Sequence, residues 1–134
     1  MHNPPMSPVR RSGRLKSTLL AAVAAAGIGC GSTTDDRPVK WSFISATIIE
    51  PSCATVNCHS EIADRAGVDL HDRATGYRDL TERRFVIPGD QTSSSALLYL
   101  LRAQGSIRMP PDSPLPEADM VLIDNWIKAG ALND

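Results

Sequence analysis

Two cysteines and a histidine lie close together near the middle of the chain. The heptapeptide Cys-Ala-Thr-Val-Asn-Cys-His occupies residues 53–59, so that His59 directly follows Cys58. Two thiols in this order can add across the vinyl groups of a haem, and the adjacent histidine can then bind the iron. The usual spacing for such covalent attachment is C-x-x-C-H. Residues 53–59 therefore predict a haem covalently attached through Cys53 and Cys58, with His59 as one axial ligand.

The gap between the two cysteines is four residues long, whereas the usual motif has two. For both sulfurs to reach one haem, part of the segment between them must bulge outward. Ala54 is small and Asn57 tolerates tight turns, so both residues favour such a bulge. The other ring nitrogen of His59 is expected to donate to a backbone carbonyl, which would fix the tautomer.

The same residues allow two other interpretations. In an oxidising compartment an isolated cysteine pair can form a disulfide, here Cys53–Cys58, although a disulfide does not explain the adjacent histidine. Zinc is the second alternative, because Cys53, Cys58 and His59 are all zinc ligands. Structural zinc sites normally need a fourth ligand, usually from a second pair further along the chain, and this sequence has no such pair.

A second axial ligand for the iron must come from elsewhere, and Met109 is the first candidate. It precedes Pro110 and Pro111, which fix their own φ angles and make the segment rigid. Methionine opposite histidine raises the reduction potential of a haem. His71 is the competing candidate. Met120, in contrast, is predicted to be a core residue because it lies on an apolar helical stripe.

The first 29 residues have the organisation of a secretory signal. An apolar, small-residue segment at 17–29 follows a basic segment formed by Arg10, Arg11, Arg14 and Lys16. The apolar segment is shorter than the roughly 20 residues that span a bilayer. Its end, Gly27-Ile28-Gly29-Cys30, resembles a bacterial lipobox, and this resemblance implies that Cys30 is lipidated and begins the mature chain. Simple cleavage near residues 24–26, or a twin-arginine signal at residues 10–11, are the alternatives.

Charge and composition limit the possible partners. Fifteen acidic but only ten basic residues follow residue 30, a net charge of −5. This charge argues against nucleic acid, whose binding needs clustered Lys and Arg, and it fits an acidic domain that meets a basic partner. Residues 30–40 are polar and include a proline, so they are predicted to form a flexible tether ahead of a domain at 41–134.

The domain is predicted to be all-α, with short helices joined by long loops. A first helix from Trp41 should end near Ile49, because a residue before proline is pushed out of the helical region and Glu50 precedes Pro51. Further helices are expected at 74–81, after a cap at Ser93 or Ser94 and up to Gly105, and at 116–129. Extended segments are expected at 67–70 and 83–87. The core face of the last helix should comprise Met120, Ile123, Trp126 and Ile127.

Short sequence motifs from about residue 41 to the end of the chain resemble the small class I cytochromes c, especially the planctomycete-type cytochrome c domains of exported bacterial proteins. They are IIEPSC (48–53), CHS (58–60), GVDL (67–70), VIPGD (86–90), SALLY (95–99), RMPP (108–111) and WIKAGA (126–131). The resemblance implies a helical fold in which the first and last helices cross. It also implies that Cys53 and Cys58 bind one haem c covalently, with His59 proximal and Met109 distal.

The expected function is therefore that of a monohaem electron carrier, not an enzyme, because two protein ligands leave no open position on the iron. A haem sensor or a peroxidase-like site would need that open position. The alternative from another class is a haem-free structural or interaction lipoprotein domain with a Cys53–Cys58 disulfide. The chain is expected to be a monomer that is exported, anchored by lipid on the periplasmic side of the cell envelope, at the outer membrane, and that meets redox partner proteins there.

Overall fold

The computed structural model describes residues 35–92 and 95–134. The predicted signal at 1–29, the lipidation site Cys30 and the start of the tether lie outside these ranges. All of the described residues fall within one compact unit, Thr34–Asp134. They form helices and turns, and no strand occurs among them, which confirms the all-α prediction. None of the helices in this part of the chain is long and apolar enough to cross a bilayer.

The first helix, α1, is longer than predicted. It begins as an α-helix at Trp41–Ile44, continues with π turns at Ser45–Ile49 and returns to an α-helix at Glu50–Cys53. The prediction that it ends near Ile49 was therefore wrong. Proline normally interrupts a helix because its ring collides with the carbonyl four residues earlier. The wider π turns, with the Glu50 N–H bonded to the Ser45 carbonyl, accommodate Pro51 without ending the helix.

Three further helices follow. Helix α2 covers Arg73–Glu82 and is capped by the Asp72 carboxylate, which accepts from the N–H groups of Ala74 and Thr75. Helix α3 covers Ala96–Arg102, and α4 covers Glu117–Lys128. Short 3-10 turns lie at Arg65–Gly67 and Gly105–Ile107. The predicted helices thus exist, with their ends shifted by a few residues.

The ends of α3 differ from the prediction. The capping residue is Ser95, whose hydroxyl accepts from the N–H of Leu98 at 3.4 Å, while Ser93 and Ser94 lie outside the described residues. The helix ends at Arg102 and not at Gly105. The reason is that Ala103 takes an extended conformation, so the chain leaves the helical path before the glycine is reached.

The two predicted extended segments have different outcomes. Residues 68–70 follow the 3-10 turn without regular structure, and Val68 is extended. Residues 83–87, in contrast, form turns, so the extended prediction was wrong there. Arg84 has a positive φ of 61°, and the N–H of Val86 bonds back to the carbonyl of Leu80. The chain therefore folds back on the end of α2.

The core lies where the first and last helices meet. The rings of Trp41 and Trp126 stack with centroids 4.9 Å apart, and Tyr77 of α2 meets both rings edge-on. The predicted core face of α4 is confirmed, since all four side chains are buried: Met120, Ile123, Trp126 and Ile127. Burial of these apolar surfaces is the main source of stability in a domain of this size. The packing of α1 against α4 through this pair of rings is therefore at the centre of the core.

Candidate functional site

Helix α1 delivers Cys53 to the start of the predicted attachment loop. Two backbone hydrogen bonds close this loop: Cys58 N–H donates to the Thr55 carbonyl at 2.9 Å, and His59 N–H donates to the Cys53 carbonyl at 3.1 Å. Residues 55–57 are exposed, whereas Cys53, Cys58 and His59 are partly buried. The longer gap between the cysteines is therefore taken up by a bulge toward solvent.

The four residues predicted to hold a cofactor line one cavity of about 460 Å³. Cys53, Cys58 and His59 come from the loop after α1, and Met109 comes from the loop between α3 and α4. The lining also includes Ser52, Arg65, Ala66, Pro110 and Pro111. Among these residues Arg65 alone carries a fixed charge. The tertiary structure thus brings together residues that are separated by about fifty positions in the sequence.

A second cavity of about 130 Å³ continues from the first. Cys53, His59, Ala66 and Met109 line both cavities, and further apolar side chains complete the second one: Val68, Leu70, Leu80, Phe85, Leu97, Leu100 and Leu101. A mainly apolar cavity with a few polar groups is the usual setting for a cofactor. Two thiols, an imidazole and a thioether around such a cavity fit a haem, whose body is apolar and whose iron binds nitrogen and sulfur ligands.

The ring of His59 is oriented by the extended residues after the 3-10 turn. Its Nδ1 lies 3.1 Å from the carbonyl oxygen of Val68, so Nδ1–H donates there in the neutral ring. The Leu70 N–H also donates to the backbone carbonyl of His59, at 2.8 Å. These contacts hold both the ring and the backbone of His59, and they leave Nε2 as the ring nitrogen available to a metal.

Met109 is held in place by a hydrogen bond of its own backbone and by hydrogen bonds of its neighbour Arg108. Its N–H donates to the carbonyl of Leu100, which lies in the last turn of α3, at 3.0 Å. The guanidinium of Arg108 reaches over the following residues and donates to the carbonyls of Pro110 at 3.4 Å and Pro111 at 2.9 Å. Arg108 therefore stabilises the segment that carries Met109, although it was not among the predicted site residues.

Both cysteines of the loop are free thiols in the structure. Burial, with a smaller contribution from the neighbouring Cys58, raises the pKa of Cys53 to about 11. Cys53 is consequently a neutral thiol at physiological pH. Thiols in apolar surroundings are poor nucleophiles until a base removes the proton.

His71, the competing candidate for the second axial position, does not line either of the two cavities. Its Nδ1 lies 2.8 Å from an oxygen of Asp69, and its Nε2 lies 3.0 Å from an oxygen of Asp72. The hydrogen bond with Asp69 raises the pKa of His71, and the charges of Asp69, Asp72 and Glu61 act in the same direction. Both ring nitrogens are thus engaged with carboxylates at the surface.

The zinc alternative requires several ligating side chains around one point. Within residues 35–92 and 95–134, no three side chains of His, Cys, Asp or Glu come together in a way that could hold a metal ion.

Asp79 was not among the predicted site residues; it is a buried carboxylate in α2 with 7% of its surface exposed. Burial opposes its ionisation, but bonds from the Asp69 N–H and Arg78, together with the charges of Arg78 and Arg83, lower its pKa below the ordinary value. A signal for it existed in the sequence. Asp79 lies on the same helical face as Gly76 and Leu80, where an apolar residue would be expected.

Comparison with known proteins agrees with this geometry. The family model for planctomycete cytochrome C matches residues 56–113, slightly under half of the chain. The matched segment contains Cys58, His59 and Met109 and begins three residues after Cys53. No curated protein and no solved structure matches the chain. The family match supports a planctomycete-type cytochrome c domain in this part of the chain, and the all-helical fold is consistent with it.

Proposed function

We propose that this protein is a monohaem c-type cytochrome that carries single electrons in the bacterial cell envelope. The observation that supports the proposal most strongly is the convergence of Cys53, Cys58, His59 and Met109 on the lining of one cavity. Cytochrome c domains are generally electron carriers, and the family match makes haem c the cofactor to expect.

Several residues that line the cavity would have separate roles in holding the cofactor. Each thiol would add across one vinyl group, its sulfur bonding one carbon and its hydrogen going to the other, without net oxidation or reduction. His59 would bind iron through Nε2, and Met109 through its sulfur. Arg65, the charged residue of the lining, is suited to the haem carboxylates. When bound, the haem supplies a one-electron iron couple whose potential is raised by the methionine ligand.

With both His59 and Met109 bound to the iron, no open position would remain for a substrate. For this reason we propose a carrier and not an enzyme: the chain would accept an electron from one partner and pass it to another. The apolar side chains around the second cavity would keep water from the cofactor, and the resulting low dielectric would influence the reduction potential of the iron.

Covalent retention of haem tests the proposal directly. The full chain is expressed in a bacterium with a haem-attachment system, denatured and extracted with acidic organic solvent, and the visible spectrum and mass of the remaining protein are recorded. Haem that stays on the chain supports the proposal. A colourless chain two hydrogens lighter than the reduced form would indicate a Cys53–Cys58 disulfide and favour the alternative, a haem-free structural or interaction domain.

Single cysteine variants show whether both thioethers form, which matters because the family match begins after Cys53. A thioether replaces a vinyl group and shifts the reduced absorption band of haem. Cys53→Ser and Cys58→Ser should each display the band of a haem with one remaining vinyl group. If Cys53→Ser has the same band as the wild type, attachment occurs through Cys58 alone.

The distal ligand has a spectroscopic test of its own. A Met109→Ala variant should lose the weak long-wavelength absorption of a ferric iron–methionine bond, and its potential should fall. Met120→Leu is the matched control, because Met120 is buried in α4, outside the lining of both cavities. If the control lost the band, or if Met109→Ala kept it, the second axial ligand of the iron would be a residue other than Met109.

We further propose that the mature chain is a monomer anchored by lipid at Cys30 on the periplasmic side of the outer membrane, where it meets redox partner proteins. The support is the signal-like sequence at 1–29 and the lipobox-like residues 27–30. Incorporation of radiolabelled palmitate should be lost in Cys30→Ser. The net charge of −5 after residue 30 fits a basic partner, so the rate of electron exchange should fall as ionic strength rises.

A further inference from the structure

The peptide group between Val68 and Asp69 connects His59 with the buried carboxylate of Asp79. On one side its C=O accepts from His59 Nδ1 at 3.1 Å. On the other side its N–H donates to Asp79 Oδ2 at 3.0 Å. Both groups belong to the same planar amide, whose N–H and C=O point in opposite directions. The order of contacts is therefore carboxylate, amide and imidazole.

An amide that donates to a carboxylate becomes a better acceptor at its own oxygen. Resonance couples the two ends of the amide, and hydrogen bonds in a chain strengthen one another by about 10 to 30% per bond in condensed-phase estimates. A bond from N–H to an ionised group is also roughly twice as strong as one between neutral groups. The ionised Asp79 thus increases the electron density that Val68 offers to the Nδ1–H of His59.

The surroundings of Asp79 favour this arrangement. Its other oxygen, Oδ1, accepts from Arg78 Nε at 3.2 Å and from Arg78 Nη2 at 3.1 Å, while Arg83 Nε lies 3.9 Å from Oδ2. These cations keep the carboxylate ionised although it is buried. Arg78 also competes with the Asp69 N–H for the charge of the carboxylate. Asp79 and Arg78 should consequently act on the amide in opposite directions.

We infer that Asp79 is a positioning residue for His59, which acts through the Val68–Asp69 peptide group and increases the donor strength of the proximal imidazole. A stronger imidazole donor stabilises ferric over ferrous iron and lowers the reduction potential, opposing the effect of Met109. The chain would set its potential by balancing these two contributions. This inference rests on the proposed haem function.

Nuclear magnetic resonance of the reduced full-length holoprotein, labelled with ¹⁵N at histidine, measures the hydrogen bond itself. The Nδ1–H proton of His59 should move upfield in Asp79→Asn, because the amide loses its charged acceptor. It should move downfield in Arg78→Gln, because Arg78 then no longer competes with the Asp69 N–H for the charge of the carboxylate. The reduction potential should rise in the first variant and fall in the second.

Glu82→Gln is the matched control for charge. Glu82 lies in the same helix, is exposed, and its change removes one negative charge without touching the amide. In the Glu82→Gln variant, the His59 Nδ1–H resonance should stay at the wild-type position. If Asp79→Asn and Glu82→Gln give the same proton shift and the same potential, the effect comes only from the loss of a negative charge at a distance. The inference is then overturned.

Two further outcomes are separable from these. Asp79 is buried, so Asp79→Asn could fail to fold; in that case Arg78→Gln decides, because Arg78 is more than half exposed at 56% of its side chain. An unchanged His59 proton in Arg78→Gln would then overturn the inference. A wild-type chain without covalent haem would overturn the proposed function itself, and the inference with it, before any variant is compared.

Discussion

Trp41 and Trp126 stack with an interplanar angle of 24° where α1 packs against α4. Each indole N–H also donates to a backbone carbonyl, Trp41 to Arg73 at 2.8 Å and Trp126 to Leu132 at 2.9 Å. The stacked pair therefore ties the first helix, the start of α2 and the C-terminal residues together. Helix α1 ends at Cys53, so the same contact fixes the direction from which the attachment loop begins.

Replacing Trp126 by alanine should lower the free energy of unfolding by about 3 to 5 kcal/mol, the usual cost of removing a buried aromatic side chain. Urea unfolding of the holoprotein, followed by circular dichroism, measures this change. Leu132→Ala is the control, because its side chain is 60% exposed and such substitutions usually stay within about 0.5 kcal/mol. Similar losses in the two variants would mean that the Trp pair is not the centre of the core.

Arg108→Ala should weaken the hold on Met109, because the carbonyls of Pro110 and Pro111 lose their shared donor. Exogenous cyanide, which competes with methionine for ferric iron, should then bind about tenfold more tightly, equivalent to ~1.4 kcal/mol. Spectral titration measures the affinity. Arg102→Ala removes the same charge from an exposed position in α3 and serves as the control. Equal affinities in both variants would show that Arg108 does not restrain the methionine.

Cys53 should react slowly with iodoacetamide in the folded, haem-free chain. At pH 8, a thiol whose pKa is about 11 carries on the order of a hundredfold less thiolate than an ordinary cysteine. Peptide mass spectrometry after timed labelling gives the rate, and the same chain unfolded in urea gives the reference. Circular dichroism confirms that the unlabelled chain is helical. Equal rates before and after unfolding would contradict the raised pKa.

The stability of the domain should depend on the protonation of His71, which lies between Asp69 and Asp72. The pKa of His71 is raised in the folded state, above its unfolded value of about 6.5. Its contribution to stability is thus fully present below that unfolded value and is lost as pH rises through the folded pKa. Thermal unfolding of the wild type and His71→Gln should differ most in mildly acidic buffer and converge in alkaline buffer.

His71→Arg is the matched variant for this experiment. Arginine keeps its charge over the whole range, so the variant should not lose stability between the acidic and the alkaline buffer in the way that the wild type does. A wild type and a His71→Arg variant with parallel pH profiles would show that His71 is not responsible for the dependence.

Much of this protein could be predicted from its sequence because the relevant signals are local. The positions of α2, α3 and α4 follow from apolar periodicity and from capping or breaking residues that lie within a few positions of each helix. Cys53, Cys58 and His59 are close in sequence, so their common chemistry could be seen without a fold. Met109 was predicted as a candidate ligand because a methionine before two prolines does not have the pattern of a core residue, and it does line the cavity.

Only the tertiary structure decided how these residues meet. The path of α1 through Pro51 depends on π turns, in which the helix changes its hydrogen-bonding pattern, and sequence rules for proline predict the opposite. The cavity exists because the loop after α1 and the loop after α3 are brought together by the packing of Trp41 on Trp126 and by buried leucines. The contact of Asp79 with the Val68–Asp69 peptide joins two segments through hydrogen bonds that depend on ångström-scale placement. Periodicity marks Asp79 as unusual, but only the folded chain shows which group it contacts.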